Sequence, residues 1–250
     1  MAIVLLATHN PGKVREIQAL VDDQTSAFLG QAPAFWGLFS QLRGLPPELR
    51  GLAPGPGKPA PAQWGRPPEK QGLVELVLPQ QLGITLEVQE TGQTYQENAA
   101  LKALAFCRLS GLVTLADDSG LEVDALGGAP GLHSARYSPL PGASDVDRRA
   151  LLLRNLHDSP RPWLSRFRCV VALAAPGSEP PRLEFYEGVC PGEIIPDERG
   201  SNGFGYDPIF LLAELGKTMA ELTTAEKNQL SHRARAVRAA LPGLVKMVGW

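Results

Sequence analysis

The sequence has little that would tie it to one environment or one class of macromolecular partner. Its three cysteines, Cys107, Cys169 and Cys190, are odd in number and far apart. None forms a Cys-x-x-Cys pair, so neither a disulfide framework nor a zinc site is indicated. Each reads as a small buried residue in a reducing compartment. Charge of one sign is not in excess: 24 Lys and Arg against 26 Asp and Glu leave a net −2. That balance exerts no global pull on nucleic acid or anionic membrane, so a site for a polyanion must be a local cluster of cations. No apolar run approaches membrane-spanning length. The start, Met1 to Ala7, is too short for a signal core and has no basic stretch before it. These absences predict a cytoplasmic protein that engages neither nucleic acid nor membrane.

What is present belongs to an ordinary globular protein, with 44% hydrophobic and 20% charged residues. A chain of 250 residues can bury a substantial core. The organising stretch is Ala116-Asp117-Asp118-Ser119-Gly120, after the apolar run Leu112 to Leu115. Adjacent carboxylates repel unless a cation lies between them or one holds a proton. Two readings fit: a metal-binding or general-base pair at the end of a buried strand, or a turn, for which Asp-Asp-Ser-Gly is equally good chemistry.

Upstream, Ile3 to Ala7 reads as a strand covered on both faces. It leads into Thr8-His9-Asn10-Pro11-Gly12-Lys13, where Asn10 suits an N-cap and Pro11 the first helical position. A strand that turns into a helix start presents backbone N–H groups and a positive dipole end. Lys13 in that first turn is either a surface lysine or the partner of an anion, with phosphate the natural candidate. From about residue 24 to 72 the composition shifts, and roughly a third of the stretch is Pro or Gly. It is read as an insert in one domain spanning 1–250, although it carries Phe28, Phe35, Trp36, Phe39 and Trp64.

Strands are expected at Leu73–Leu78 and Thr85–Val88. Thr94-Tyr95-Gln96-Glu97 has capping-box spacing and opens a helix to Leu109. Glu97 thus has a structural role, which leaves Glu90 as the better candidate for chemistry. Lys102 is either solvated or a phosphate contact. Leu121 to Leu126 alternates like a half-buried strand, Ser144 caps a leucine-rich helix, and Arg168–Ala174 with Leu183–Val189 form a hairpin. Gly203-Phe204-Gly205-Tyr206-Asp207 is either a base-stacking loop or a turn with its aromatics in the core. Thr223-Thr224-Ala225-Glu226 opens a cationic helix carrying Lys227, His232, Arg233 and Arg238. Five residues of regular helix separate Lys227 from His232 by 140°, so these converge only if a ligand wraps the helix or the helix is interrupted near Ser231.

Taken in order, these segments resemble the inosine triphosphate pyrophosphatase family of house-cleaning nucleotide hydrolases. The likeness rests on Thr8 to Lys13, on Glu90-Thr91-Gly92 through Glu97-Asn98-Ala99, and on Ala116 to Leu121. It continues in Gly128 to Gly131 with Ser134 to Tyr137, in Gly203 to Phe210, and in Ser231-His232-Arg233. It implies an α/β fold with an elongated central mixed sheet flanked by helices, a nucleotide cleft between two lobes, and a homodimer. The implied reaction converts dITP, ITP and XTP to monophosphate and pyrophosphate with Mg²⁺. By motif position, Glu90 and Asp118 hold the metal, with Asp118 also the catalytic base. The implied substrate contacts are Thr8, His9, Asn10, Pro11, Gly12, Lys13, Ser119, Phe204, Gly205, Tyr206, Asp207, Lys227, His232 and Arg233. Rival readings are a purine-nucleotide sensor without turnover and a different metal-dependent phosphohydrolase. Selection at the purine 6-carbonyl separates adenine but leaves the 2-amino group of guanine unaddressed.

Overall fold

The computed structural model describes residues 2–30 and 74–249, with side chains up to residue 23 in the first stretch. The expected insert lies outside the described residues except for its first seven, which continue a helix. Strand β1 (Ala2–Leu6) runs into helix α1 (Pro11–Gly30), so the helix passes the point where composition predicted its end. There follow β2 (Val74–Val77), a 3₁₀ turn (Pro79–Leu82) and α2 (Tyr95–Ser110). Next come β3 (Val113–Val123), a 3₁₀ turn (Gly131–Arg136) and α3 (Asp145–Leu156). The long strands β4 (Trp163–Ala175) and β5 (Arg182–Ile194) make the expected hairpin. Short strands β6 (Phe210–Leu212) and β7 (Lys217–Thr218) precede α4 (Thr224–Leu230) and α5 (His232–Met247).

The strands form one seven-stranded mixed sheet in the order β2-β1-β3-β4-β5-β6-β7. β1 is parallel to β2 and β3, and every pairing from β3 onward is antiparallel. The register shows where a cleft must open. β1 stops opposite Leu115, whereas β3 continues to Val123 with only β4 beside it. Around the paired half, Val4, Leu6, Ile17, Leu20, Val237 and Leu241 pack one face under α1 and α5. Leu5, Ala99, Ala103, Phe106 and Ala116 pack the other under α2. The far half has its own core of Leu121, Leu152, Leu156, Trp163, Ile194 and Phe210. Two lobes thus share β3, β4 and β5.

Three local expectations change. Asp117 and Asp118 lie within β3 and form no turn, because both pair in register with Val171 and Val170 of β4. The same strand absorbs the start of the 121–126 stretch, which ends in a 3₁₀ turn (Asp124–Leu126). Thr85–Val88 has no regular secondary structure and joins no sheet among the described residues: Leu86 and Val88, with Ile84 before them, pack on the α2-side core.

Candidate functional site

Where β1 ends, Asn10 closes the start of α1. Its Oδ1 accepts the amides of Gly12 at 2.8 Å and Lys13 at 3.2 Å, and Thr8 Oγ1 accepts the Asn10 amide at 3.2 Å. Two first-turn donors expected to face a ligand are therefore already occupied by the cap. The Lys13 ammonium crosses to Asp117 at 2.9 Å. Gly12 is required by packing, since a Cβ there would stand 2.6 Å from the Phe204 ring.

Side chains alternate across a strand, so the neighbours Asp117 and Asp118 face opposite sides of the sheet. Asp117 meets Lys13, Arg233 Nε at 3.5 Å and Ser119 Oγ at 3.3 Å. Burial pushes its carboxyl up, but Lys13 and Arg233 more than reverse this and hold it far below the usual range. Asp118 faces the other way, where Asn98 Nδ2 donates to it at 3.1 Å and Lys102 Nζ lies 3.7 Å off. Here burial prevails over Lys102 and Lys13, and the carboxyl lies above its ordinary value. The two neighbours thus differ: cations hold one carboxyl down, and burial raises the other.

Glu90 arrives at Asp118 on the irregular segment that follows the 3₁₀ turn at Pro79–Leu82. It accepts from Lys102 at 2.6 Å and lies 3.4 Å from Arg136. His9, in the loop between β1 and α1, ties it to the same segment and the 3₁₀ turn before it: its ring contacts the Leu86 carbonyl at 3.3 Å and Gln80 at 2.8 Å. Glu97 meets half of its capping-box expectation: Thr94 Oγ1 accepts its N–H at 3.1 Å, but its carboxylate accepts the Gln93 amide at 2.6 Å in place of that of Thr94. Asn98 was not singled out by sequence. Fully buried, it accepts the Gly92 amide at 2.8 Å and donates to Asp118, tying the segment to β3.

Across the cleft, Asp207 Oδ2 accepts the Phe204 amide at 2.9 Å and the Lys227 ammonium at 2.6 Å. Ser231 is extended (φ −65°, ψ 154°), ending α4 and capping α5. That break swings His232 and Arg233 back towards Lys227. Glu16 of α1 sits between them, 2.6 Å from Lys227 and in close contact with Arg233. Sequence reasoning missed Glu16, although it stands four residues from buried Leu20 on the inward stripe of α1. Lys227 and Arg233 lie 5.2 and 5.6 Å from the centre of the Phe204 ring. His232 stacks on Phe167 at 4.8 Å, and burial followed by Arg233 depresses it well below the usual histidine range. Tyr206 is buried and donates to the Ser134 carbonyl at 3.0 Å. It is a wall of the cleft, while Phe204 supplies the aromatic surface. Arg238 instead donates to the Gln229 carbonyl and takes no part.

The cavity enclosed by these groups measures about 470 Å³, in the range of small-molecule sites. Thr8, His9, Asn10, Lys13, Glu90, Asp118, Ser119, Phe204, Gly205, Tyr206, Asp207, Lys227, His232 and Arg233 all line it. Pro11 and Gly12 do not, and act through the helix start and the Phe204 contact. Among the described residues no three His, Cys, Asp or Glu side chains gather as a metal cluster. The Glu90–Asp118 pair does hold a cation, the Lys102 ammonium. A hard divalent ion that takes much of its shell from water and phosphate oxygens fits such a two-carboxylate site.

Fold and cavity together define a mixed-sheet α/β protein with a capped cationic loop and a carboxylate pair on one wall, and an aromatic–cation wall opposite. Residues 69–242 match the model of the Ham1 family, and the chain belongs to that family. A protein named dITP/XTP pyrophosphatase from Bacillus licheniformis is 46% identical over 158 residues, covering 63% of this chain and 79% of that protein. One of the same name from Geobacillus kaustophilus is 51% identical over 152 residues, covering 60% and 72%. Among solved structures, a HAM1 protein from Coxiella burnetii superposes with a TM-score of 0.71 at 31% identity, covering 98% of this chain and 100% of that one. The Staphylococcus aureus Ham1 protein gives 0.68 at 29%, covering 97% of each.

Proposed function

We propose that this chain hydrolyses non-canonical purine nucleoside triphosphates, dITP, ITP and XTP, to the monophosphate and pyrophosphate. The observation that carries the reading is one cleft with three kinds of wall: the capped loop with Lys13, the Glu90–Asp118 pair with Lys102, and the Phe204 face backed by Lys227 and Arg233. The first suits phosphates, the second a metal and a water, and the third a purine. The names borne by its relatives support the same substrates.

Asp118 is the general base. Its burial raises its proton affinity; Asn98 holds Oδ2, and Oδ1, which also accepts the Ser119 amide at 3.1 Å, takes a proton from water aimed at the α-phosphorus. Lys13 and Lys102 offset charge on the phosphates. Magnesium, held by Glu90 and Asp118, would supply the remaining charge compensation as pyrophosphate departs. Lys227 and Arg233 donate to a 6-carbonyl oxygen, whereas an adenine 6-amino group would face them donor to donor; such mismatches discriminate by about 10⁴–10⁵-fold. The reading includes a homodimer in the cytoplasm. Among the described residues no helix is long and apolar enough to cross a membrane.

The test is product analysis with magnesium and dITP, XTP, GTP and ATP in parallel. Monophosphate and pyrophosphate, formed faster from dITP and XTP, are expected. Orthophosphate with a diphosphate would assign another hydrolase class, and tight binding without product would assign a sensor.

A further inference from the structure

Donors at purine carbon 6 do not separate guanine from hypoxanthine, because both carry a carbonyl there. The cleft holds one more cation that neither the phosphate loop nor the Phe204 wall employs. Arg148, in the first turn of α3, lines the cavity with Asp145, Gly205 and Tyr206. Its Nη1 donates to the Ala143 carbonyl at 2.8 Å, and its Nη2 is closely paired with Asp145 Oδ1. Asp145 Oδ2 accepts the Gly205 amide at 2.7 Å. The preceding amide, that of Phe204, goes to Asp207, which is paired with Lys227. Two carboxylate–cation pairs thus grip consecutive amides of one loop, with a cationic donor attached to each.

An aspartate–arginine pair three residues apart on a helix is ordinarily a solvated surface pair. Here the arginine is turned inward: its side chain retains 18% of its exposure against 37% for Asp145, and both line the cavity. A guanidinium has five N–H donors in a rigid fork. Two are committed, and the rest meet no acceptor among the described residues. On a purine, carbons 6 and 2 flank N1 on one edge. A base whose carbon 6 meets the Lys227 side of the loop carries carbon 2 towards its other flank.

We propose that Arg148 reads purine carbon 2. Its free N–H groups donate to the 2-carbonyl of xanthine, make no hydrogen bond with the C2–H of hypoxanthine, and reject the 2-amino group of guanine, a donor brought against a donor. This inference rests on the proposed pyrophosphatase reading and deepens it by giving guanine a reason to be excluded.

The test is kcat/KM for dITP, dXTP and dGTP, which share one sugar, in the wild type, Arg148→Gln and Arg148→Met. The glutamine keeps a donor and adds an acceptor; the methionine keeps the stem and removes every donor. Ratios to dITP within each variant cancel any general loss from a shifted loop. In both variants the dGTP/dITP ratio should rise about tenfold and the dXTP/dITP ratio should fall about as much, the scale of one mismatched polar contact. Ratios unchanged from the wild type in a folded variant overturn the proposal, however slow dITP has become. So does a change confined to the ITP/dITP ratio, measured by running ITP beside the three deoxynucleotides, which would place Arg148 on the ribose. Failure of the underlying reading looks different: the wild type then releases no pyrophosphate from any nucleotide.

Discussion

At the scale of single residues, the division between Asp117 and Asp118 decides what each contributes. Asp117 is buried against Lys13 and Arg233, so Asp117→Asn leaves Lys13 without its counter-charge and Arg233 with Glu16 alone. Breaking such a buried pair costs about 3–5 kcal/mol, and a thermal melt should show a large fall in Tm. Asp118→Asn keeps the Asn98 contact region intact and should melt near the wild type, while kcat drops by about 10²–10⁴-fold. Equal effects of the two substitutions on Tm and on kcat would contradict this division. The pair itself was plain in the sequence, but its split was not. Asp-Asp-Ser-Gly reads as turn chemistry, and only pairing along β4 makes it strand and sends the neighbours to opposite faces. Glu16 and Asn98 were harder still: each is a polar residue on a helix stripe whose partners lie far away in sequence.

At the scale of elements, the site depends on close approaches that glycine permits. The clearest is β5 against α5, where a Cβ on Gly188 would stand 2.1 Å from the His232 carbonyl oxygen and 2.5 Å from the Ala236 amide. Gly188→Ala must push the helix start away from the sheet. The expected cost is about 1–3 kcal/mol by overpacking, with KM raised because His232 and Arg233 move together; an unchanged Tm and KM would show that this packing does not position the wall. Gly92 has the same part on the opposite wall, with Glu97 Cβ at 2.6 Å and the Asn98 amide at 3.0 Å from its Cβ position. Gly92→Ala should displace the segment bearing Glu90 and raise the magnesium concentration for half-maximal rate, read from a metal titration at saturating nucleotide. Element types were largely legible: β1, the α1 cap at Asn10, the α2 cap at Thr94 and the β4–β5 hairpin follow from apolar runs and capping residues. Thr85–Val88 was not, because alternation shows that one side is buried and says nothing of whether a neighbouring strand is present. The break at Ser231 was foreseen only as a condition for Lys227 and Arg233 to meet, and its cap geometry supplies it.

At the scale of the molecule, the cleft is a set of buried charges that must all be in place, and pH tests them together. Cations hold Asp117 below its usual 3.8, and hold Glu16 below 4.5 against the opposing pull of burial. A depressed carboxyl contributes stability that is full above its unfolded value and lost as pH falls through the folded one. His232 is buried neutral, far below 6.5. The unfolded chain therefore takes up its proton first, and this contribution begins to fall below about pH 6.5. Asp207, raised by its burial, adds nothing to the acid-side loss. Calorimetry should show Tm declining from about pH 6.5 and more steeply below about 4.5. His232→Gln should remove the first stage; a decline that stays would show that other groups carry it.

The central claim is that this cleft directs water, deprotonated by Asp118, at the α-phosphorus of a purine nucleoside triphosphate. It is tested most directly by turning over dITP in water enriched in the heavy oxygen isotope and weighing the products. The account predicts the label in deoxyinosine monophosphate, with unlabelled pyrophosphate. Label in pyrophosphate, or in released orthophosphate, would place the attack on another phosphorus and contradict it.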